Sequence, residues 1–319
     1  MESAPGVQAD MNAATSIESV AFEVGSGFSP TLYVTADQGQ ELGKPYVFTS
    51  VDEGKTWTRS DLGLPGVGSI IELEASQSDP SIAYLLLEQS IRSPDHEGDL
   101  TLGPDLIYVT HDAGGSWTMV SSPTGFNDLA IDAHDSRSLW AATGSGLMNS
   151  TTGGRTWTGL EGVSRPLGYV AINQERGNVS EVIATDAFTG RAYRWTANGG
   201  VSTLTTAGVA TSAASSIKVH ALVLAFKSSS ASVMRYDLRS GIWYSLKSSG
   251  SPIDGLTVDR TDSPSLFGHT DEAVMKYQLD GRGMPAPPSL GAPQLPRNLQ
   301  ETSNCPPGEI EPRRTSGLG

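Results

Sequence analysis

Two aspartates, Asp52 and Asp112, recur at the same place in a short motif that ends in tryptophan, and their spacing raises the question of a metal site. Residues 50–57 read SVDEGKTW and residues 110–117 read THDAGGSW. Calcium needs six to eight oxygen ligands, and one carboxylate per turn, on turns ~40 or more residues apart, supplies too few. We therefore expect no metal ion and no cofactor at these turns.

The motif has a third copy, STTGGRTW at residues 150–157, in which Thr152 replaces the aspartate. All three copies follow Ser/Thr-x-Asp-x-Gly-x-Ser/Thr-Trp apart from that replacement. The residues that we assign to the structure of the turns are Ser50, Asp52, Gly54, Trp57, Thr110, Asp112, Gly114, Trp117, Ser150, Gly154 and Trp157.

Each residue type in the motif has a structural reason. A turn aspartate accepts hydrogen bonds from the backbone N–H groups of its own turn. A glycine adopts a left-handed conformation without strain from a Cβ atom. A tryptophan supplies a large apolar area for packing between neighbouring sheets. We predict that the motif is architectural.

Strands must flank these turns. Each motif follows a short β-like stretch, such as residues 107–109. A second repeat, which begins with Asp-Pro or Asp-Ser and ends with an aliphatic and an aromatic residue, occurs at residues 79–84, 135–140 and 262–267. Asp and Pro initiate turns, and the apolar run that follows suits a strand. Together the two repeats define a unit of four strands. Six such units cover residues 18–61, 69–120, 127–160, 167–205, 216–247 and 253–283.

A four-stranded unit of ~40–50 residues cannot bury both of its faces alone, and radial repetition solves this problem. The fold class we predict is all-β: a single β-propeller of four-stranded antiparallel blades, with six blades preferred and seven as the alternative. Residues 17–283 form the propeller. Residues 1–16 are an N-terminal segment that could supply the last strand of blade six and close the ring. Residues 284–319 form a proline-rich extended tail.

Composition excludes several classes of protein. The formal net charge of −14 disfavours binding to nucleic acid, because an acidic surface repels phosphates. No apolar run reaches the ~18 residues that a membrane-spanning helix needs. One cysteine, Cys305, rules out an intrachain disulfide and leaves an intermolecular disulfide in the tail as an open alternative.

The motif residues resemble the Asp-box (BNR) repeat. Similar repeats occur in sialidases, in some endoglucanase and xyloglucanase families, in sortilin-type sorting receptors and in photosystem assembly factors. The resemblance implies a propeller whose functional site lies away from the repeated turns. It does not by itself assign an activity.

Two glycoside hydrolase readings can be compared with the residues. Sialidases are expected to carry an Arg-Ile-Pro-like motif before the first box and a three-arginine clamp, but this chain has no arginine before Arg59. A glycanase needs two carboxyl groups flanking the scissile bond. Carboxylates that could serve are Asp37, Glu41, Asp95, Glu97, Asp99, Asp186, Asp271 and Glu272.

The loops between the second and third strands are the best candidates for a binding face, because function resides on loops that a rigid scaffold positions. Blade three uses only residues 144–145, blade one uses residues 37–44, and blade two inserts residues 88–104. The candidate residues are Asp37, Glu41, Lys44, Arg92, Asp95, His96, Glu97 and Asp99.

These observations favour a non-catalytic scaffold or recognition subunit outside the cytoplasm. It would bind a protein partner or join a larger complex, and the 284–319 tail could take part. No signal peptide is visible in the sequence. The alternative is a glycoside hydrolase or carbohydrate-binding protein of the Asp-box type, for which the partner would be a glycan.

Overall fold

A computed structural model describes most of the chain between residues 16 and 278. The described residues are 16–23, 31–37, 44–52, 56–76, 78–92, 100–162, 164–175, 178–189, 191–196, 200–204, 210–216, 221–226, 232–237, 240, 242–248, 253, 255–258, 265–269 and 274–278. Within them all regular structure is β, as predicted, and no helix is long and apolar enough to cross a membrane.

The strands form six antiparallel sheets, one for each predicted unit. Blade one contains β1 (Ser16–Glu23), β2 (Thr31–Asp37), β3 (Tyr46–Ser50) and β4 (Thr58–Arg59). Blade two contains β5 (Ser69–Ala75), β6 (Ala83–Arg92), β7 (Leu100–Thr110) and β8 (Thr118–Ser121). Blade three contains β9 (Phe126–Ile131), β10 (Leu139–Thr143), β11 (Gly146–Ser150) and β12 (Thr158–Gly159).

The second half repeats the arrangement without the motif. Blade four contains β13 (Leu167–Glu175), β14 (Asn178–Asp186), β15 (Ala192–Thr196) and β16 (Gly200–Leu204). Blade five contains β17 (Ala210–Ser216), β18 (Ala221–Phe226), β19 (Ser232–Asp237) and β20 (Ile242–Ser248). Blade six contains β21 (Gly255–Val258), β22 (Ser265–His269) and β23 (Val274–Gln278).

The first strands of the blades line the centre and close a ring. β1 packs against β5, β5 against β9, and so on through β13 and β17 to β21, which packs back against β1. This cyclic order confirms the β-propeller and the preferred number of six blades. Because every blade has the same strand order, all the loops between second and third strands lie on one face of the ring, which we call the loop face. The motif turns lie on the opposite face.

A register shift near the start of the first strand recurs in five blades. It follows Ile17, Ile70, Leu167 and Ala210, and in β9 it falls between Phe126 and Asp128. A β-bulge bends a strand and increases its twist. The repeated shift thus gives the inner strands the bend that a closed ring requires.

The hydrophobic core lies mainly between the blades. One cluster joins Tyr33 and Val47 of blade one to Leu73 and Leu85 of blade two. Further clusters join blades two and three, three and four, four and five, and five and six. The sheets of blades two to five are therefore packed on both faces, as the radial arrangement of a propeller requires.

The structure corrects the start of blade five. We expected it at residue 216, but its first strand β17 begins at Ala210. The segment ATSAASS consists of small residues, so it shows no alternation of apolar and polar side chains that would predict a strand. Small side chains fit in the narrow space beside the neighbouring blades. Ala213 and Ala214 instead pack against two inter-blade clusters. Blade six has three strands among the described residues, and the predicted segments 1–15 and 284–319 lie outside them.

Candidate functional site

The motif turn of blade two is built around the carboxylate of Asp112. Its Oδ1 atom accepts hydrogen bonds from the Thr110 hydroxyl at 2.7 Å and the Ser116 N–H at 2.9 Å, and Oδ2 accepts one from the Ser116 hydroxyl at 2.8 Å. These hydrogen bonds lower the pKa of Asp112; the bond from Thr110 has the largest effect, followed by the bonds from Ser116. The carboxylate is exposed, but its acceptor sites serve its own turn.

The other two motif turns have the same geometry. Asp52 accepts hydrogen bonds from the Thr56 N–H at 2.8 Å and the Thr56 hydroxyl at 2.6 Å. In the third turn the Thr152 hydroxyl accepts the Thr156 N–H at 3.0 Å and lies 2.9 Å from the Thr156 hydroxyl. A threonine therefore reproduces the bond to the backbone with one oxygen fewer. Gly54 lies outside the described residues.

In blades two and three, the motif glycine accepts a hydrogen bond from a serine at the end of the preceding blade. Ser60 of blade one donates a hydrogen bond to the carbonyl oxygen of Gly114, and Ser121 of blade two donates one to Gly154 at 2.7 Å. Gly114 has φ +88°, and a Cβ atom there would lie 2.3 Å from Ser60 Oγ. This position requires glycine because its neighbour approaches so closely.

Two of the three motif tryptophans pack against the preceding blade. Trp117 is buried in the cluster shared with blade one, at 6.5 Å from the ring of Tyr33, and its Nε1 donates to the Ser60 carbonyl at 2.7 Å. Trp157 is half-buried in the cluster shared with blade two and lies 4.9 Å from the ring of Phe126. Trp57 is buried against Tyr46 and Phe48 of its own blade.

On the loop face, two strands of blade two extend beyond the rest of the sheet and form an arm, where the sequence predicts a loop. The first strand β5 pairs with β6 only as far as Glu88, yet β6 and β7 continue to pair up to Arg92 and Leu100. Four more residues of β6, at roughly 3.3 Å each, extend the hairpin by about 13 Å. The insertion at 88–104 is thus mostly strand, because residues 88–92 and 100–102 suit a β-ladder.

The predicted loop residues are distributed around this face. Asp37 is the last residue of β2 and pairs with Ser16, so it lies in a strand rather than a loop. Arg92 likewise ends β6. Lys44 lies in the connection to β3 and contributes to a charged cluster. The remaining candidates lie outside the described residues: Glu41, Asp95, His96, Glu97 and Asp99.

Blade one presents a charged and aromatic corner on the loop face. Asp61 bonds to Lys44 Nζ at 2.8 Å and to Arg59 Nη2 at 2.7 Å. Burial acts to raise the pKa of Asp61, but the hydrogen bonds from Arg59 and Lys44 outweigh it and the pKa falls below its ordinary value. The Arg59 guanidinium lies 4.7 Å from the centre of the Tyr46 ring, which makes a cation–π pair.

Blade four presents a second corner on the loop face that also contains an arginine and a tyrosine. Of its residues, the sequence indicated only Asp186, as a possible glycanase carboxylate. The Arg165 guanidinium lies 5.0 Å from the Tyr193 ring centre and donates to its hydroxyl at 2.7 Å. Asp186, at the end of β14, accepts the N–H groups of Phe188 at 3.0 Å and Thr189 at 2.7 Å. This turn holds Phe188 outward with 76% of its surface exposed. The spacing Asp-x-Phe-Thr is the sequence signal for such a turn.

Two buried carboxyl groups have a raised pKa, the usual mark of a catalytic acid, but both join blades together. Asp105 accepts the Phe126 N–H at 2.8 Å, and Asp128 accepts the Val170 N–H at 2.7 Å. Burial raises the pKa of each. Each carboxyl group thus bonds to a backbone donor of the next blade, and Asp128 also accepts the Leu129 N–H of its own strand. In the described part of the chain, no three His, Cys, Asp or Glu side chains are grouped so that they could hold a metal ion.

Structural comparison places the chain among β-propellers. It is similar to a GH74 enzyme from Niastella koreensis, with a TM-score of 0.57, 17% identity, and coverage of 83% of this chain and 46% of that chain. It is similar to the GH74 xyloglucanase from Xanthomonas campestris, with a TM-score of 0.58, 16% identity, and coverage of 85% and 46%. It is also similar to a chain of a nidogen/laminin complex, with a TM-score of 0.55, 15% identity, and coverage of 77% and 85%.

These similarities concern the fold. The chain spans about half the length of the two GH74 structures, and all three identities are too low to carry an activity across. Neither a scan against protein-family models nor a sequence search of curated proteins gives a match. The comparisons and the cyclic order of the strands together show that this chain is a β-propeller.

Proposed function

We propose that this chain is a non-catalytic propeller of the Asp-box type that recognises a protein partner through its loop face, outside the cytoplasm. The Asp-box assignment is supported by the three turns, in which the aspartate or threonine accepts the N–H group four residues later. The turns themselves face away from the proposed binding surface.

The observation that carries the proposal is the pair of Arg–Tyr corners at the loop ends of blades one and four. Arginine and aromatic residues are enriched at the centres of protein interfaces, where they supply most of the binding energy. Both corners are preorganised, because Asp61 bonds to Arg59 and the Asp186 turn fixes Phe188. Side chains already held in place lose less conformational entropy on binding.

The buried carboxyls argue in the same direction. A glycosidase needs one protonated carboxyl group that faces the substrate. Asp105 and Asp128 bond instead to backbone N–H groups between blades, and Asp186 bonds to its own turn. Asp186 is one of the carboxylates considered for a glycanase, and its carboxylate stabilises the turn that follows β14.

Glycan binding is the second candidate. The likeness to two GH74 structures favours it, and the exposed Phe188 ring could stack on a sugar. The described carboxyl groups with a raised pKa, Asp105 and Asp128, bond to backbone N–H groups between blades and do not face a sugar. We therefore expect glycan binding on this face to occur without hydrolysis.

A face-specific binding experiment tests the proposal. Immobilised full-length protein is exposed to the extracellular fraction of its source, and bound proteins are identified. Phe188→Ser and Arg165→Ala alter the loop face, and Val51→Ser is the matched control because Val51 is 60% exposed in a motif turn on the opposite face. We expect a specific partner to be lost at least tenfold with the first two variants and retained with the control.

The same three variants are applied to a glycan array and to hydrolysis of xyloglucan. Glycan binding that Phe188→Ser abolishes would replace the protein-partner proposal with the second candidate. Release of reducing ends by the unaltered chain would overturn the non-catalytic assignment. A partner that is lost equally with Val51→Ser would show that the loop face is not the binding surface.

A further inference from the structure

Asp128 joins two blades at the wall of the central channel. It lies in β9 directly after the register shift, and only 5% of its surface is exposed. Its Oδ1 atom accepts the Leu129 N–H of its own strand at 3.0 Å, and Oδ2 accepts the Val170 N–H of β13 at 2.7 Å. One carboxyl group therefore ties the inner strands of blades three and four.

The titratable groups around Asp128 carry negative charge. β5, which packs against β9, contributes Glu72 and Glu74. β13 contributes Tyr169, and the part of β6 that pairs with β5 adds Tyr84 and Glu88. β10 contributes no titratable group, and none of these segments (69–75, 83–88, 139–143 and 167–172) contains Lys, Arg or His.

Among the described residues only carboxylates, those of Glu72 and Glu74, act on Asp128 as charged neighbours. A buried carboxylate is costly in such surroundings. Burial raises the pKa of Asp128, and the charges of Glu72 and Glu74 raise it further. The N–H groups of Val170 and Leu129 act in the opposite direction but leave the pKa well above its ordinary value. The protonated form still accepts the Val170 N–H.

We propose that Asp128 is the switch of a pH-sensitive latch, in which its protonated carboxyl joins blades three and four beside the glutamates of blade two and its ionisation weakens the ring. The direction follows from linkage. Between the carboxyl's ordinary pKa and its raised value, the folded state binds more protons than the unfolded state, so stability falls as pH rises. The latch is thus firmest in an acidic medium.

Urea unfolding of the full chain between pH 4 and pH 8 tests the latch, with Asp128→Asn as the principal variant. The amide keeps a carbonyl oxygen for the Val170 N–H and cannot ionise. We expect the unfolding equilibrium constant of the native protein, divided by that of the variant, to rise up to about tenfold per pH unit over the titration of Asp128. An equal pH dependence of the two proteins would overturn the proposal.

Two further variants separate the latch from burial alone. Glu72→Gln removes one charge, so the rise should end at a lower pH than in the native protein. Asp105→Asn removes a buried carboxyl that bonds to the next blade but whose raised pKa has burial as its cause. It should retain the pH dependence assigned to Asp128. If Asp128→Asn does not fold, native protein and Glu72→Gln decide: identical pH profiles would overturn the latch.

Discussion

The indole nitrogen of Trp117 donates a hydrogen bond to the carbonyl oxygen of Ser60 at 2.7 Å, and this bond ties the second blade to the first. The Trp117 side chain is buried, with 3% of the residue's surface exposed, and it packs on residues of both blades. The backbone repeats the link, because Trp117 N–H donates to the Leu62 carbonyl at 2.8 Å. The tryptophan at the end of the motif is therefore a junction residue.

Trp117→Phe should destabilise the protein by about 1–3 kcal/mol, because it leaves the Ser60 carbonyl without its donor and opens a small cavity. Trp157→Phe is the matched control, since Trp157 is half-buried and donates within its own turn to Gly154 at 3.0 Å. We expect the control to cost less. Urea unfolding measures both variants, and equal losses would contradict a junction role specific to Trp117.

Gly114→Ala should be among the most destabilising single changes in the motif. The new Cβ atom would lie 2.3 Å from Ser60 Oγ and 2.7 Å from Thr49 Cγ2, at a φ of +88°. Backbone strain alone costs about 1–2 kcal/mol, and the contact with blade one adds to it. Gly159→Ala is the control because no atom lies within 4 Å of its Cβ position. A thermal midpoint unchanged by Gly114→Ala would refute the close approach.

Asp112 should make its turn sensitive to acid. A lowered pKa means that its stabilisation is present above the unfolded pKa near 3.9 and is lost as pH falls through the folded value. Asp112→Ala should cost about 0.5–2 kcal/mol at pH 7, by analogy with side chains that cap backbone N–H groups. Proteolysis or urea unfolding at pH 7 and at pH 3 measures the difference, which should shrink in acid.

The third turn suggests a milder replacement at the same position. Thr152 accepts the Thr156 N–H in place of an aspartate, so Asp112→Thr should retain more stability at pH 7 than Asp112→Ala. The threonine does not ionise in this range, so the acid-dependent part of the loss should disappear. Equal stability of the threonine and alanine variants would show that the two turns are not equivalent.

The ring should depend on the N-terminal segment and not on the tail. We propose that residues before Ser16 supply the fourth strand of blade six. Deleting residues 2–15 should then lower the thermal midpoint by about 2–4 °C for each kcal/mol lost. Deleting residues 284–319 is the control, and it should leave the midpoint unchanged. The opposite pattern would show that the tail completes the blade.

Local repeats made much of the fold predictable. The motif around Asp112 specifies its own turn through bonds within seven residues, so neighbouring sequence is sufficient to infer it. The three copies of this turn, and units of four strands in fixed order, imply sheets that need packing partners on both faces. The sequence predicts too late a start for blade five, because the small residues of β17 leave no apolar period. It predicts a loop in place of the arm of blade two, because the ladder of that arm continues beyond the rest of the sheet.

The side-chain pairs of the candidate site could not be predicted from neighbouring sequence. Lys44 was identified from its loop, but its partner Asp61 follows β4 and meets it only across the blade. Arg165 and Tyr193 are 28 residues apart and belong to different elements. Pairing at that range is set by the register of strands, which local sequence does not encode.

The sequence by itself determined an all-β chain of repeated four-stranded units, because turn chemistry and strand alternation act between near neighbours. Tertiary structure decided which carboxyl groups are taken out of water and which side chains meet on the loop face. Asp112 and Asp128 are the same residue type, yet one has a lowered and the other a raised pKa. The physical reason is that charge and burial depend on what the other blades bring close, and only ring closure brings them there.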